Sequence, residues 1–416
     1  LEKIAEEIRE IKAELSGIYQ YDFEGYFNSV GEYFEAEDLL IKKRLILGNL
    51  NYNDSGSMTA SFHYGVLPKN VKKFEKIIKK FRSELANFTE KGVRNALHEL
   101  LLPDTDIHMP FPFGDLVGPN DLFDICYAPL FDAMPDLERR DWIVIGGRTE
   151  HCDNWVGCGG HYVGTFVGPW LDIPPTGHLT HMRFHEFYRF HQGRVVEIQT
   201  LWDIPEVMMQ AKAWPMAPSL GIEFCIPGPA TNDGLVSGPW DEKHANASCH
   251  HIINMLQHMK KYPSQGDVDV MKMPHFWDDR VNWYGPAGIG TARGIAGFRN
   301  WHQIPFINAM PDRGKYVDEI TYHFFGDKDY AAVTGWPNMI QTITNDGWMG
   351  IAPTGKRITM KSLDFWRIER GKIRENWVMV DLLDVYNQLN IDVFARMNEF
   401  NKARIKGKLS FPIGEY

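Results

Sequence analysis

Two segments of the sequence each place a single carboxylate on a mostly apolar strand face. Side chains of a β-strand alternate between its two faces, so residues 182–188 group four side chains on one face: Met182, Phe184, Glu186 and Tyr188. The same alternation in residues 360–366 groups Met360, Ser362, Asp364 and Trp366. Burial raises the pKa of a carboxyl group towards neutrality, where it can act as a general base. The pattern therefore predicts acid/base chemistry at Glu186 and Asp364, unless an arginine from another strand pairs with them.

Histidines crowd the first of these segments and its surroundings: His151, His161, His178, His181, His185 and His191. Together with Cys152 and Cys158 they offer the nitrogen and sulfur ligands that transition metals prefer. Alternation places His181 and His185 on the strand face opposite Glu186, so a convergent ligand set would need residues from other strands. We therefore predict no metal, and keep a metal-dependent lyase or hydrolase in this histidine-rich region as an alternative.

An internal duplication places the two carboxylates at equivalent positions of a repeated sequence. Ala-Met-Pro-Asp at residues 133–136 returns at 309–312, and Leu-Asp-Ile-Pro-Pro-Thr-Gly at 171–177 returns as Met-Gly-Ile-Ala-Pro-Thr-Gly at 349–355. From there the two copies stay in register at an offset of 178 residues, which aligns the carboxylate of one strand with that of the other. The chain therefore repeats one domain.

Each copy begins with helices and continues as an antiparallel meander that ends in a hairpin at Gly193 or Gly371, which is an α+β pattern. One helix of the first copy has a clear apolar stripe: Phe74, Ile77, Ile78, Phe81 and Leu85. We predict four parts: a helical N-terminal extension over 1–65, a first copy over 66–213, a Pro/Gly-rich linker over 214–240 and a second copy over 241–416. We expect the extension to dock on the body of the protein or on a second subunit through its own stripe: Ile4, Ile8, Ile11, Leu15 and Ile18.

Composition excludes several classes of protein. The chain is 44% hydrophobic and 24% charged, with a net charge of -10, which argues against a nucleic-acid partner. It lacks the run of about 18 apolar residues that a membrane span needs. The five cysteines lack CxxC spacing, and no signal peptide is visible, so we expect a cytoplasmic protein with reduced thiols.

The repeated motifs resemble the SnoaL-like polyketide cyclases of the nuclear transport factor two-like superfamily. The resemblance rests on the Ile-Pro-Pro-Thr-Gly and Ile-Ala-Pro-Thr-Gly loops, on Phe166-Val-Gly and Trp348-Met-Gly before them, and on the Phe-x-Arg-x-x-x-Gly-Arg/Lys hairpins. The segment Glu-Asn-Trp-Val-Met-Val-Asp381-Leu-Leu-Asp-Val-Tyr-Asn-Gln-Leu is especially similar to the family's last strand and C-terminal helix. The similarity covers about 105–212 and 275–392.

The resemblance implies two tandem cone-shaped α+β domains, each a curved antiparallel-sheet barrel with helices that enclose an apolar pocket. In the cyclases a histidine on the penultimate strand faces an aspartate at the end of the last strand. The histidine position falls on Glu186 and Asp364, and the aspartate position on Asp203 and Asp381. We expect Glu186 with Asp203, or Asp364 with Asp381, to form the acid/base pair. Either aspartate could instead simply cap the helix that follows.

Six further residues complete the predicted site as substrate contacts: Tyr188, Trp366, His108, His161, His302 and Trp283. His108 and His161 would reach the pocket mouth from neighbouring strands and replace the missing imidazole. The resemblance therefore implies an enzyme without a cofactor, of cyclase, isomerase or dehydratase type, that acts on a carbonyl-bearing small molecule. The aromatic share of 13% favours a ring-containing or apolar substrate. We expect a homodimer, and a non-catalytic ligand-binding or assembly module stays an alternative.

Overall fold

The fold is taken from a computed structural model of the chain. The structure describes residues 71–402 except 152 and 263–265, together with 404 and 407–409; side chains are described from Phe74 onwards. These residues belong to one compact unit, Gly65–Tyr416. The predicted N-terminal extension therefore lies outside the described residues, and the predicted domain boundaries stay predictions.

The first copy opens with two helices, α1 (Val71–Ala86) and α2 (Glu90–Leu100). The predicted stripe of α1 is confirmed, because its side chains at three- and four-residue spacing are buried. Six strands follow: β1 (Leu101–His108), β2 (Asp115–Val117), β3 (Glu138–Arg148), β4 (Asn154–Thr165), β5 (Leu179–His191) and β6 (Arg194–Trp202). Between β2 and β3 run α3 (Gly118–Asp121), a π-helical turn (Leu122–Tyr127) and α4 (Ala128–Ala133), and α5 (Ile204–Gln210) follows β6.

The second copy repeats this order from α6 (Glu242–Met259) and α7 (Met273–Phe276), with a 3₁₀ turn (Val268–Met271) between them. Its strands are β7 (Trp277–Tyr284), β8 (Ala292–Arg293), β9 (His323–Asp327), β10 (Tyr330–Thr334), β11 (Met339–Thr342), β12 (Arg357–Met360), β13 (Ser362–Glu369) and β14 (Lys372–Val380). Helical segments lie between β8 and β9: α8 (Gly294–Phe298), a π-helical turn (Arg299–Gln303), α9 (Ile304–Ala309) and a 3₁₀ turn (Val317–Glu319). The helices α10 (Leu382–Gln388) and α11 (Val393–Phe400) follow β14.

Both copies build a six-stranded sheet with the same topology. The strand orders are β2-β1-β6-β5-β4-β3 and β8-β7-β14-β13-β10-β9. The first main strand of each copy runs parallel to its last strand, and the other neighbours are antiparallel. The predicted hairpins are confirmed: Gly193 and Gly371 have φ values of 82° and 72°, as a tight two-residue turn requires.

Strand continuity differs between the copies. In the first copy β4 and β5 pair without interruption from Asn154–Phe190 to Thr165–Leu179. In the second copy the corresponding strands are broken, and β11 and β12 form a separate two-stranded sheet. The edge strand is also shorter, since β9 has 5 residues where β3 has 11. The second copy therefore surrounds its interior with shorter pieces of sheet.

Each sheet has two faces with different neighbours. The inner face packs on the helices of its own copy, and the outer faces of the two sheets pack on each other and on the linker. The outer faces share one hydrophobic core, which includes Phe187, Phe325, Phe365 and Trp377 together with Ile226 of the linker. Backbones approach closely here, because a Cβ atom on Gly147 would lie 2.8 Å from the Gly326 carbonyl oxygen.

These observations confirm the predicted fold class, two tandem α+β domains that each combine helices with a six-stranded sheet; among the described residues neither sheet closes into a barrel. Four cysteines are described, and all are free thiols: Cys126, Cys158, Cys225 and Cys249. In the part of the chain that the structure describes, no helix is long and apolar enough to cross a membrane.

Candidate acid/base sites

The interior carboxylate of the first copy, Glu186, is fully engaged by hydrogen-bond donors. Its side chain lies on the inner face of β5, and the residue is 1% exposed. Two tyrosine hydroxyls donate to it, Tyr162 to Oε1 at 2.9 Å and Tyr188 to Oε2 at 2.5 Å. Trp202 donates its Nε1 proton to Oε1 at 3.0 Å, and Arg139 donates Nη1 to Oε2. Because four donors hold its two oxygens, Glu186 has little lone-pair capacity left for a substrate proton.

The arginine that pairs with Glu186 belongs to a longer ionic chain. Arg139 Nε also donates to Asp141 Oδ1 at 3.0 Å, and Arg82 of α1 donates to Asp141 Oδ2 at 2.8 Å. The Arg139 side chain is completely buried. The guanidinium also lies 4.0 Å from the centre of the Phe184 ring. The alternative of an arginine partner is therefore what the first copy shows, and this network ties the sheet to α1.

The interior carboxylate of the second copy, Asp364, has a different environment. It lies on the inner face of β13 between Val333 of β10 and Val378 of β14. Ser362 Oγ donates to its Oδ1 at 2.9 Å. Burial raises the pKa of Asp364 to about 7, although Ser362 and Arg313 both favour its ionised form. A carboxyl group of this pKa can take and return a proton near neutral pH.

Aromatic side chains form a wall of the second interior. Trp283 stacks on His302 with ring centres 4.0 Å apart, and His302 lies 5.3 Å from the Phe306 ring. Burial lowers the pKa of His302 to about 3, so its imidazole is neutral at physiological pH. Two buried nitrogens, His302 Nδ1 and Trp366 Nε1, have no hydrogen-bond partner among the described residues. Unpaired polar atoms beside an apolar wall suit a ligand with few polar groups.

Arg313 is the residue of this interior that the sequence reasoning missed. Its guanidinium lies 5.1 Å from the centre of the Phe306 ring. Its positive charge lowers the pKa of His302, as burial also does, and it opposes the effect of burial on the pKa of Asp364. Its position directly after the repeated Ala-Met-Pro-Asp motif is the sequence feature that could have identified Arg313. Aligning the two copies does not reveal it, because the first copy has the apolar Leu137 at the equivalent position.

The expected pairs of Glu186 with Asp203 and of Asp364 with Asp381 do not form. Glu186 pairs with Thr200 across the sheet, and Asp364 pairs with Val378. Each aspartate is three residues further along the chain, and an odd number of residues puts it on the opposite face of the strand. The two aspartates therefore lie on the outer side of the sheets, between the copies.

Each aspartate accepts a hydrogen bond from a backbone amide of the other copy. Asp203 accepts the Ala287 amide at 3.0 Å and forms an ion pair with Arg183 at 3.2 Å. Asp381 accepts the Phe111 amide at 3.0 Å, and its other oxygen caps α10 by accepting the Asp384 amide at 3.1 Å. The capping alternative thus holds for Asp381, whereas the Asp203 side chain does not cap α5. These reciprocal contacts make the aspartates part of the junction between the copies.

The six predicted substrate contacts divide between the two faces. Tyr188, Trp283, Trp366 and His302 belong to the interiors. His108 instead stacks against Trp336 of the second copy at 5.6 Å and bonds to Asp115 at 2.8 Å. His161 lies on the outer face beside His181, with ring centres 5.6 Å apart. Strand alternation explains both corrections, because His108 aligns with Gln199 and His161 with Arg183, which face outwards.

Comparison with known proteins finds one family model that matches each of the two copies. The family model described as SnoaL-like polyketide cyclase matches residues 79–211 and 254–389. IdmH from Streptomyces antibioticus has a similar structure at 20% identity and a TM-score of 0.29, covering 34% of this chain and 99% of that chain. TsrD from Streptomyces laurentii is 15% identical, with coverage of 34% and 95% and a TM-score of 0.28. An NTF2-like protein from Burkholderia pseudomallei is 15% identical, with coverage of 33% and 95% and a TM-score of 0.26.

No curated protein sequence matches this chain. The two family matches fall one in each copy and together cover more than half of the 416 residues. The chain therefore belongs to the SnoaL-like polyketide cyclase family, with two of the family's domains in tandem.

Proposed function

We propose that the protein is a cofactor-independent acid/base enzyme whose active site is the interior of the second copy, with Asp364 as the general base. The observation that carries the proposal is the contrast between the two carboxylates. Asp364 has a pKa of about 7, whereas Glu186 is held by a buried arginine and three further donors. The first copy then serves as a scaffold.

The proposed reaction starts with proton transfer from carbon. Asp364 removes a proton α to a carbonyl group, and the electron pair of the broken C–H bond moves into the carbonyl to form an enolate. The positive charge of Arg313 and the unpaired Trp366 Nε1 proton supply stabilisation for the enolate oxygen. Return of the proton at another carbon gives an isomer, attack on a second carbonyl closes a ring, and loss of a β-hydroxyl gives dehydration.

The substrate class follows from the walls of the site. Trp283, His302 and Phe306 form a stacked aromatic surface, which suits a flat or ring-containing molecule. The neutral His302 can orient such a molecule by one hydrogen bond without adding charge. We therefore propose a keto compound with at least one ring as the substrate, in line with the polyketide chemistry for which the family is named.

Deuterium exchange tests the proposal because it reports the first proton transfer, whatever product follows. The full chain is incubated in D2O with a panel of cyclic ketones and β-keto compounds, and exchange at the α-carbon is followed by NMR. We expect exchange with at least one ring compound, and a loss of about 10²–10⁴-fold in Asp364→Asn. Asp318→Asn changes an exposed carboxylate of the same copy and is expected to keep the wild-type rate.

Two results would count against this function. Equal exchange in Asp364→Asn and wild type would remove the base from the mechanism. Ligands that raise the melting temperature equally in both proteins, with no exchange in either, would instead identify a binding module.

A further inference from the structure

A second cluster of reactive side chains lies on the outer face of the first sheet, away from both interiors. His161 of β4, His181 of β5 and Cys225 of the linker bring one nitrogen or sulfur ligand atom each within 4.8 Å of one another. His161 is buried, His181 is half-buried and Cys225 is exposed. The sequence distances between them are long, so only the folded sheet and the path of the linker bring them together.

The strand register explains why the two histidines meet. His161 pairs directly with Arg183, and His181 precedes Arg183 by two residues on the same face of β5. Diagonal neighbours of this kind lie within reach of long and aromatic side chains. The linker then crosses this outer face, where Gly228 lies against Trp142, and bridges to the edge strand β3 from Leu235 to Val144. Cys225 comes to the histidines along that path.

One ring nitrogen of His161 lacks a hydrogen-bond partner among the described residues. The exposed fraction of His161 is 7%, and this nitrogen, Nε2, is buried. A buried polar atom without a partner costs about 1–3 kcal/mol. The other ring nitrogen, Nδ1, accepts a hydrogen bond from Trp142 Nε1 at 3.2 Å. The unpaired Nε2 is therefore available to a further group that the cluster binds.

His181 lies beside a buried carboxylate that is placed to orient it. Its Nδ1 lies 3.1 Å from Glu206 Oε1, and Glu206 is fixed in turn because its Oε2 accepts the Arg183 amide at 2.6 Å. Metal-binding histidines commonly donate one ring N–H to a carboxylate, which leaves the other nitrogen for the ion. A small rotation of the His181 ring would let Nδ1 donate to Glu206 in this way, which leaves Nε2 for the ion.

We propose that His161, His181 and Cys225 form a binding site for a transition-metal ion, with Zn²⁺ as the ion that this donor set fits best. Two imidazoles and one thiolate are borderline-to-soft ligands, which favour zinc over magnesium or calcium. Three protein ligands leave the fourth tetrahedral position to water, on the side where Cys225 is exposed. Binding releases the thiol proton of Cys225 to solvent.

The three ligand atoms must move closer together to bind an ion. Ligand atoms of a tetrahedral zinc site lie roughly 3.3–3.6 Å apart, which follows from its bond lengths. Rotation of the exposed Cys225 side chain can supply that movement. Binding through His161 Nε2 also places the ring proton on Nδ1, so Trp142 Nε1 loses its acceptor. Metal binding should therefore change the environment of the Trp142 indole and fasten the linker to the first sheet.

Cobalt substitution tests the site on the full chain, purified with a chelator and kept under a non-thiol reductant. We expect one Co²⁺ to bind with a thiolate-to-cobalt charge-transfer band and the strong visible absorption of tetrahedral cobalt, and Zn²⁺ to displace it. Cys225→Ser should lose the charge-transfer band and bind at least about tenfold more weakly. Glu206→Gln should weaken binding about 10–100-fold and keep the band.

Matched variants separate this site from adventitious binding. His178→Asn removes an exposed histidine close to β5 and should bind cobalt like the wild type. Absence of the charge-transfer band in the wild type, or its persistence in Cys225→Ser, would overturn the proposal. Because Cys225 is exposed, its serine variant should fold normally, which circular dichroism can verify. Deuterium exchange at the second interior does not enter this test, so the two proposals fail independently.

Discussion

The two copies place a carboxylate at the same strand position and give it opposite surroundings. Glu186 faces the buried Arg139, which enters the interior because β3 already begins at Glu138. Counted from the shared Ala-Met-Pro-Asp motif, the corresponding residue of the second copy is Lys315, which is exposed because β9 begins only at His323. The length of one edge strand thus decides whether the carboxylate is neutralised or left free to titrate. Under the proposed function, the interior of the first copy serves as a scaffold and the interior of the second copy keeps a titrating group.

The largest expected effect is on stability and falls on the first copy. Glu186→Gln leaves Arg139 buried with only Asp141 as a counter-charge, and we expect a loss of about 3–5 kcal/mol in the free energy of unfolding. Urea denaturation measures it. Asp364→Asn makes the same kind of change in the second copy and should not destabilise the protein at pH 8. Equal losses in the two variants would contradict the contrast between the copies.

Measuring the free energy of unfolding as a function of pH tests the raised pKa of Asp364. Its pKa is raised from 3.8 to about 7, so between these values the folded state holds a proton that the unfolded state has lost. The contribution of Asp364 to stability therefore falls as pH rises from 4 to 7. Asp364→Asn removes this contribution, and we expect the variant to exceed the wild type at pH 8 by about 2–4 kcal/mol. At pH 4 the two should be equal, and a constant difference across this range would refute the raised pKa.

The junction aspartates should differ in their cost. Asp203→Ala removes the acceptor of both the buried Arg183 and the Ala287 amide, and we expect a loss of about 2–3 kcal/mol. In Asp381→Ala the nearby Lys361 keeps Asp384 as a partner at 3.0 Å, so we expect about 1 kcal/mol. Thermal unfolding ranks the two variants. Turnover per folded molecule should be unchanged in both, and a selective loss of activity would return them to the mechanism.

The smallest expected effect concerns the pH profile of the second interior. Arg313 favours the ionised form of Asp364, so Arg313→Met should raise the pKa of Asp364 further. The rate of deuterium exchange should then rise at higher pH than in the wild type, since the base must be ionised to act. Lys315→Met removes an exposed charge two residues away and serves as the control. An unshifted profile in Arg313→Met would show that its charge does not reach the base.

Periodicity in the sequence predicted much of the framework. The stripe of α1, the glycine turns of both hairpins and the duplicated α+β order all reflect local rules, namely helical spacing, tight-turn geometry and strand alternation. Alternation also placed Glu186 and Asp364 correctly on an inner face. Asp203 and Asp381 each lie three residues beyond the residue that pairs with Glu186 or Asp364 across the sheet. The same alternation therefore puts them on the outer face, against the pairing that the resemblance implied.

The sequence by itself determined that the chain is a duplicated α+β domain and that each copy carries one carboxylate on an apolar strand face, because both properties depend on neighbouring residues and fixed periods. Only the tertiary structure decided which carboxylate is neutralised, where the aspartates bind, and that His161, His181 and Cys225 meet. Those contacts join residues from 20 to 270 positions apart. They depend on the extent of an edge strand, the packing of two sheets and the path of a linker, which no local period encodes.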